Sequence, residues 1–331
     1  MSEGTFVGID VSSDHFDVHI LPSEKKSSWN MDAKSIKALI KQLKKISPKV
    51  IAMESTGGYE IQLCAALLAE GLPALLVNPH RARQYAQSIG ILAKTDPIDA
   101  YSLARFASQI KVKKRHFPTE EERFLKELLA RRRQLIDLRV QEKNRLRRPG
   151  SPLVKRSIES IIRTLDDEIK KIDKDLDDTI KGNPEWSEKC ELLQTIPGVG
   201  KVVAITFVID VPELGALSPK EIASLIGVAP YNHDSGKLKG RRMVKGGRRN
   251  PRKALYMAVV SGSRCNPRLR SFYEKLRASG KAAKVALVAC MRKLLIIMNA
   301  MVKAKTPFQV TPQLPGEIGL LASFFSRFEA K

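Results

Sequence analysis

The chain has 331 residues, of which 43% are hydrophobic, and it carries a formal net charge of +23 with an isoelectric point near 9.9. So large a positive charge attracts polyanions over long distances, and nucleic acid is therefore the first partner class to consider. Four cysteines without any paired spacing argue against a disulfide framework and against a zinc site: Cys64, Cys190, Cys265 and Cys290.

Residues 1–115 begin with two strand-like runs. Residues 6–11 (FVGIDV) and 15–21 (HFDVHIL) are β-rich and are joined by a short polar turn, which predicts an antiparallel hairpin. In the second run Phe16, Val18 and Ile20 fall on one face, because side chains alternate along a strand.

The rest of this N-terminal part alternates between strand and helix patterns. A short third strand is predicted near residues 28–31, before a helix whose apolar residues share one side: Ile36, Leu39, Ile40, Leu43 and Ile46. Two buried strands are predicted at 50–54 (VIAME) and 74–78 (ALLVN). Three helices complete the predicted elements, at 59–70, 80–88 and 97–109. This order predicts a mixed α/β sheet with helices on its faces, as in ribonuclease-H-like domains.

Residues 116–185 are predicted to form a helical hairpin. A charged helix over 119–148 opens with the capping pattern of Thr119 and Glu122, and a Pro-Gly-Ser-Pro break follows it. A second helix over 153–181 carries an apolar seam at spacings of three and four: Ile158, Ile162, Leu165, Ile169, Ile172, Leu176 and Ile180. Such a heptad seam indicates a coiled-coil hairpin that packs on itself or on a second protomer.

Residues 186–331 are predicted to be mostly helical, with the clearest helices at 254–263 and 281–303. The most apolar run, 282–302, is interrupted by Arg292 and Lys293, which favours a buried helix over a membrane span. The N-terminus shows no basic-then-apolar signal segment. We therefore expect a soluble cytoplasmic protein with no membrane partner.

The last 141 residues carry most of the positive charge, with 24 Lys and Arg against 8 Asp and Glu over 191–331. Within them, residues 231–250 (YNHDSGKLKGRRMVKGGRRN) supply a set of candidate phosphate-binding residues: Lys237, Lys239, Arg241, Arg242, Lys245, Arg248 and Arg249. The turn PGVG, with Gly198 and Gly200, fits either a plain connection between helices or a helix-hairpin-helix turn whose backbone N–H groups hold a phosphate. We favour the phosphate contact in a chain this basic.

Four carboxylates in the first third of the chain lie at positions where packing alone would not place an acidic residue. Asp10 interrupts an apolar strand, Glu54 ends another, and Asp96 and Asp99 are three residues apart at a helix start. Each has an ordinary alternative role as a turn or capping residue. In a ribonuclease-H-like sheet, however, the first and fourth strands are neighbours, and a helix can bring Asp96 and Asp99 to the same edge.

A cluster of four carboxylates repels itself unless a cation neutralises it. Hard oxygen ligands suit Mg²⁺ or Mn²⁺, and a pair of such ions can activate an oxygen nucleophile and stabilise a leaving oxygen in phosphodiester chemistry. An acidic metal pocket in a basic chain is typical of a nucleic-acid-processing enzyme.

Five segments together resemble the DEDD transposases of the insertion-sequence-110 family: GIDVSSDHFDVHI, AMESTGGYE, VNPHRARQYAQSIGILAKTDPIDAYSLARFA, TIPGVG and LIGVAPYNHDSGKLKG. The resemblance spans nearly the whole chain. It implies a RuvC-like catalytic domain (1–115), a coiled-coil segment (116–185) and a C-terminal transposase domain (186–331). It also implies a metal-binding tetrad of Asp10, Glu54, Asp96 and Asp99.

The same resemblance implies that Ser235, in its Ser-Gly motif, is the nucleophile of a site-specific recombinase that cuts and rejoins double-stranded DNA through a phosphoserine intermediate. Mg²⁺, a bridge RNA that pairs with donor and target DNA, and a homo-oligomer (dimer or tetramer) are implied with it. A serine hydroxyl needs activation, and a tetrad-bound metal is a better activator than the neighbours Asp234 and His233. The two domains must then meet, within one chain or across protomers.

Three other functions remain open from the sequence. A metal-dependent junction nuclease would use the same tetrad with water as nucleophile. A non-catalytic DNA- or RNA-binding protein would keep only the scaffold. A sugar-kinase-like or actin-like ATPase is disfavoured, because no second glycine-rich phosphate loop is present and the charge is strongly positive.

Overall fold

The computed structural model describes residues 4–55, 57–93, 95–109, 118–148, 150–232, 234–236, 238–240 and 242–309. The chain divides into two compact units, residues 1–117 and 118–331, and each has its own hydrophobic core. The first contains a mixed sheet with helices, and the second is mostly helical. This confirms the predicted α/β part followed by a helical part.

The N-terminal unit is built on a five-stranded sheet in the order β3-β2-β1-β4-β5. Its strands are β1 (Phe6–Val11), β2 (His15–Leu21), β3 (Lys25–Asn30), β4 (Val50–Glu54) and β5 (Ala74–Val77). The first three strands form antiparallel pairs, while β4 runs parallel to both β1 and β5. The predicted hairpin and the predicted neighbourhood of the first and fourth strands are therefore confirmed.

The helices of this unit are α1 (Ala33–Ile46), α2 (Glu60–Ala69), α3 (Pro79–Ser88) and α4 (Asp96–Gln109). Side chains at alternate strand positions pack on opposite faces of the sheet. The even-numbered residues of β2, Phe16, Val18 and Ile20, lie in one core with α1 and α2, as predicted. The other face, which includes Phe6 and Leu21, forms a core with α4.

Helix α4 rests directly on the backbone of β1 at Gly8. A Cβ atom built at Gly8 would lie 2.0 Å from the carbonyl oxygen of Ala100 and 2.3 Å from the backbone nitrogen of Ala104. No other residue type leaves room for so close an approach of helix and strand. Gly8 thus determines how deeply α4 sits, and with it the position of the first turn of α4.

The C-terminal unit contains eight helices within the residues that the structure describes: α5 (Glu120–Leu146), α6 (Pro152–Gly182), α7 (Pro184–Gln194), α8 (Lys201–Asp210), α9 (Pro219–Ile226), α10 (Arg249–Cys265), α11 (Pro267–Ala278) and α12 (Ala283–Ala304). Between α9 and α10 lie four two-residue strands, β6 (Pro230–Tyr231), β7 (Asp234–Ser235), β8 (Leu238–Lys239) and β9 (Met243–Val244). Strand β6 pairs with β9, and β7 pairs with β8.

Helices α5 and α6 form the long hairpin that the sequence predicts. Thr119 and Glu122 make both hydrogen bonds of the predicted capping box at the start of α5. Ion pairs Arg132–Asp173 and Arg139–Asp166 connect the two helices in antiparallel register. Of the predicted seam, the C-terminal residues are buried, namely Ile169, Ile172, Leu176 and Ile180.

Helix α12 is long and apolar enough, by length and composition, to cross a membrane. Half of its most apolar 18-residue stretch is buried inside the protein. Its buried residues belong to the core of the C-terminal unit. The buried Asn299 also fastens the chain before α9 to this helix: its side chain accepts a hydrogen bond from the backbone of Gly215 (2.8 Å) and donates one to the carbonyl of Leu217 (2.9 Å). The helix packs as a core element, as predicted.

Candidate active site

Three neighbouring strands bring carboxylates to one level of the sheet. Asp10 on β1 is the direct antiparallel partner of Asp17 on β2, and opposite residues share a face. On the other side of β1, the last parallel pair is Ile9 with Met53, so that Asp10 and Glu54 are the next residues in register. Asp17 was not predicted as a site residue, although the short hairpin turn fixes its place opposite Asp10.

The first turn of α4 adds two more carboxylates, Asp96 and Asp99. Because α4 lies against β1 at Gly8, two residues before Asp10 on the same face, the start of the helix lies near the end of the strand. The negative charges of Asp96, Asp99 and Glu54 all act on the carboxyl group of Asp10. The four predicted tetrad residues are therefore brought together within the N-terminal unit.

The electrostatics of Asp10 show how crowded the site is. Its pKa is raised to about 7, first by burial and then by the negative charges of Asp99, Asp96 and Glu54, while a backbone hydrogen bond from Val11 opposes the shift. Burial and like charges both penalise the ionised form. Without a cation to compensate for the charge, Asp10 therefore ionises only near neutral pH rather than in the ordinary carboxyl range.

Glu60 organises the loop that follows Glu54. This buried residue at the start of α2 accepts hydrogen bonds from the hydroxyl of Ser55 (3.3 Å) and from the backbone N–H of Gly58 (2.9 Å). Gly57 and Gly58 both have positive φ, which glycine adopts without strain. Glu60 was missed in the sequence, because a buried acid at a helix start looks the same as an ordinary helix-initiating acid.

The donor set fits a divalent cation. Carboxylate oxygens are the preferred ligands of Mg²⁺ and Mn²⁺, and a divalent ion would relieve the repulsion that raises the pKa of Asp10. Asp10, Glu54, Asp96 and Asp99 are the residues that would hold it. His15, Asp17 and Asp96 also present donor atoms that all lie within 4.8 Å of one another.

Ser235 lies in the C-terminal unit, on the exposed strand β7. It pairs with Leu238 on β8, and Gly236 enters the tight turn with φ of +55°. The carboxylate of the adjacent Asp234 accepts a hydrogen bond from the backbone N–H of Gly240 (3.1 Å). Asp234 therefore braces this small hairpin, and His233 lies outside the described residues.

The loop that carries Ser235 is closed at its base by two glycines. A Cβ atom on Gly227 would lie 2.0 Å from the carbonyl oxygen of Gly246, and one on Gly247 would lie 2.1 Å from the backbone nitrogen of Gly227. Both glycines have positive φ. The backbone N–H of Arg248 also donates to the carbonyl of Leu225 (2.9 Å), so the chain leaves and re-enters the helical core at one point.

The predicted phosphate-binding residues differ in what their side chains do. Arg242, Lys245 and Arg249 are exposed, as a surface that grips a polyanion requires. Lys237 and Arg241 lie outside the described residues, and so does the side chain of Lys239. The guanidinium of Arg248 is held by the carboxylate of Glu213 through two hydrogen bonds of 2.6 Å, and it also donates to the carbonyl of Asp210 (2.8 Å).

We expect Arg248 to act in folding and Arg249 in DNA binding. Arg248→Ala should lower the free energy of unfolding by about 1–2 kcal/mol, because it breaks a bidentate pair that is only partly screened by solvent. Arg249→Ala should leave stability unchanged but lower the slope of log binding constant against log salt by about 1. Chemical denaturation and salt titration of DNA binding separate the two effects. A reduced salt slope for Arg248→Ala at unchanged stability would contradict this assignment.

Gly198 and Gly200 in the PGVG turn have different environments. A Cβ atom on Gly198, whose φ is +97°, would lie 2.6 Å from the Cα of Gly262 on α10. The buried Asn266 donates to the carbonyl of Pro197 (3.3 Å) and fixes the turn from the same side. Gly200 is exposed, forms the N-cap of α8 and has open space around it. Packing thus accounts for Gly198, whereas Gly200 is accessible to a ligand.

Two family models match this chain. Residues 7–149 match a DEDD model of the IS110 group described as "Transposase", and residues 190–274 match the model described as "Transposase IS116/IS110/IS902 family". Together they cover more than half of the chain.

Named relatives agree with these matches. Over 318 residues the chain is 29% identical to the pilin gene-inverting protein of Moraxella bovis, in an alignment that covers 92% of this chain and 97% of that protein. Over 265 residues it is 22% identical to the transposase for insertion sequence element IS1111A of Coxiella burnetii, with 71% of each chain covered. The resemblance noted in the sequence is confirmed: the chain belongs to the IS110 family of DEDD transposases.

Proposed function

We propose that the protein is a site-specific DNA recombinase of an insertion sequence, which cuts and rejoins DNA with Ser235 as nucleophile and a divalent metal ion held by Asp10, Glu54, Asp96 and Asp99. The observation that carries the proposal is the convergence of these carboxylates from β1, β4 and α4, where burial and the negative charges of Asp99, Asp96 and Glu54 raise the pKa of Asp10 to about 7. Family membership supports DNA as the substrate. The strand order β3-β2-β1-β4-β5 supports a RuvC-like catalytic domain.

The proposed chemistry is a transesterification. The oxygen of Ser235 forms a bond to a DNA phosphorus atom, the bond from phosphorus to a deoxyribose oxygen breaks, and the serine proton is passed to the departing oxygen. In the reverse step, the corresponding deoxyribose hydroxyl of another strand attacks the phosphorus atom of the phosphoserine. The bond from phosphorus to the Ser235 oxygen then breaks, the serine regains a proton, and the DNA is rejoined. Mg²⁺ or Mn²⁺, when bound, supplies activation of the hydroxyl and stabilisation of the developing negative charge.

The chain's own groups have separate parts in this step. The short hairpin of β7 and β8 presents the Ser235 hydroxyl at an exposed edge, where a phosphodiester can reach it. The exposed Arg242 and Lys245 offset the charge of the attacked phosphate and its neighbours. Asp234 accepts a backbone hydrogen bond from Gly240 and thereby maintains the turn.

Replacing Ser235 with Ala is expected to abolish both recombination and the covalent protein–DNA adduct, because no other group takes over the attacking oxygen. The adduct is detected on a denaturing gel with end-labelled DNA that carries the element ends. Ser271→Ala, which removes an exposed hydroxyl from α11, is the matched control and should keep full activity. Cleavage that persists in Ser235→Ala with water as attacker would identify a RuvC-like junction nuclease instead.

We further propose that a bridge RNA and a homo-oligomer complete the active complex, and that it works in the cytoplasm. The resemblance to the family suggests these partners, and the net charge of +23 is compatible with a bound RNA. A discrete RNA that copurifies with the active protein, and whose loops match the recombined DNA, is the expected result. An active preparation without RNA would contradict this part of the proposal, and light scattering of the same preparation measures the assembly.

A further inference from the structure

His15 lies at the edge of the carboxylate centre, and the proposed function gives it no part. It opens β2 on the face that carries Asp17, and its side chain is 41% exposed. Its Nε2 atom lies 3.2 Å from Oδ2 of Asp96 and 3.5 Å from Oδ2 of Asp17. One ring nitrogen therefore faces two carboxylate oxygens, one from the sheet and one from α4.

Ser12 contacts the other ring nitrogen of His15. Its hydroxyl donates to the carbonyl of His15 (2.8 Å) and accepts from the backbone N–H of His15 (3.2 Å). The same hydroxyl oxygen lies 2.9 Å from Nδ1 of the ring. When that hydroxyl donates to the carbonyl, which also accepts from the backbone N–H of Ser12 (2.9 Å), Nδ1 carries the ring proton and donates to the hydroxyl oxygen. In that tautomer, Nε2 presents a lone pair to the two carboxylates.

The three lone pairs of that tautomer repel one another unless a proton or a metal ion lies among them. The 3.2 Å separation of Nε2 from Asp96 fits neighbouring ligands of one metal ion, since ligands about 2.1 Å from a metal are roughly 3.0–3.4 Å apart at octahedral or tetrahedral angles, and the 3.5 Å separation from Asp17 lies just above that range. A metal ion bound here would have a mixed set of ligands, namely one imidazole nitrogen and several carboxylate oxygens. Imidazole favours transition-metal ions, whereas Mg²⁺ prefers oxygen ligands alone.

We propose that His15 is a nitrogen ligand of the metal ion held at the Asp96 side of the carboxylate centre, with Asp17 as an additional oxygen ligand, and that it gives the site a preference for Mn²⁺ or another transition-metal ion over Mg²⁺. The inference rests on the proposed metal-dependent function and adds specificity-determining residues to that centre. Ser12 is a positioning residue, because it orients the ring through Nδ1.

Pulsed electron paramagnetic resonance of Mn²⁺ bound to the full chain tests this directly, without DNA and without turnover. The wild-type protein should show ¹⁴N modulation from a coordinated imidazole. His15→Gln should lose the modulation, and its Mn²⁺ over Mg²⁺ affinity ratio should fall at least roughly tenfold. His80→Gln is the matched control, because His80 is an exposed histidine of the same unit, and it should retain both properties.

The possible failures are distinguishable. Wild-type protein that binds Mn²⁺ through Asp10 but shows no ¹⁴N modulation would overturn the role of His15 and leave the proposed carboxylate centre standing. An unchanged affinity ratio in His15→Gln would likewise mean that the ring only positions Asp96. If Mn²⁺ does not bind, or binds equally well to Asp10→Asn, the metal-dependent function fails together with this inference.

Discussion

Replacement of Asp10 by Asn is expected to abolish DNA cleavage and, at the same time, to raise the melting temperature of the metal-free protein. Activity is lost because Asp10, the proposed oxygen ligand between Asp17 and Glu54, becomes a neutral amide. Stability rises because Asn removes a carboxyl group that burial and three like charges destabilise. After discounting for partial exposure to solvent, we expect a gain on the order of 2 kcal/mol at pH 8.

The pH dependence gives this prediction a definite sign. The pKa of Asp10 is raised to about 7 in the folded protein, so the folded state binds more protons than the unfolded state between the ordinary carboxyl range and pH 7. The metal-free wild type should therefore lose stability as the pH rises from the ordinary carboxyl range to about 7 and level off above that, and Asp10→Asn should lose less. Thermal unfolding over a range of pH, with a chelator and then with Mn²⁺, measures the stability of the metal-free protein and the stabilisation by the metal ion.

Asp14→Asn is the control for a simple change of charge, since Asp14 is an exposed acid in the adjacent hairpin turn. It should leave activity, metal binding and melting temperature nearly unchanged. If Asp10→Asn lowered the melting temperature of the metal-free protein, the raised pKa of Asp10 and the crowding that causes it would be contradicted. Retained cleavage by Asp10→Asn would remove Asp10 from the catalytic centre.

A single methyl group at Gly8 should disable the same centre without touching any carboxylate. Gly8→Ala places a Cβ atom against the backbone of Ala100 and Ala104, where no side chain can move aside. Helix α4 has to shift outward, which we expect to cost about 3 kcal/mol of stability, the upper part of the range for overpacked cores. Asp96 and Asp99 would move with the helix, so Mn²⁺ affinity should fall roughly tenfold or more.

Gly182→Ala provides the comparison, because a Cβ atom at Gly182, at the end of α6, meets nothing within 4 Å. That variant should be neutral or slightly more stable than the wild type. Denaturant unfolding and Mn²⁺ titration are the two measurements. Normal stability and normal Mn²⁺ affinity in Gly8→Ala would show that α4 does not rest on β1 in solution.

Local sequence signals were sufficient for the sheet and for singling out candidate carboxylates, whose role as a metal-binding tetrad stays a prediction. An acid inside the apolar run FVGIDV and another at the end of VIAME are unusual enough to identify Asp10 and Glu54, and the observed pairing of β1 with β4 brings them together. Asp17 and His15 were missed because polar residues on one face of an alternating strand are ordinary. Only the pair register, Asp10 opposite Asp17, distinguishes them from solvent-facing residues.

Contacts between residues far apart in the sequence could not be predicted from sequence patterns. Nothing near Arg248 in the sequence indicates that Glu213, 35 residues away, holds its guanidinium, so it was grouped with its basic neighbours. Gly198 was likewise predicted to lie in a phosphate-binding turn, whereas close packing on the backbone of Gly262 accounts for a glycine there. Such contacts depend on the packing of α8 against α10, which composition and periodicity do not specify.

The close backbone contact between Gly227 and Gly247 affects how the sequence of the loop around Ser235 can change in evolution. Because Gly227 and Gly247 hold the two ends of this segment together, its exposed part around Ser235 can lengthen or change its charge without repacking any helix, while Val228 beside Gly227 stays in the core. Doubling the length of a flexible loop costs only about 0.6 kcal/mol of closure entropy. New DNA contacts can therefore evolve in the segment around Ser235 at little cost in stability, while the two glycines at its base cannot change.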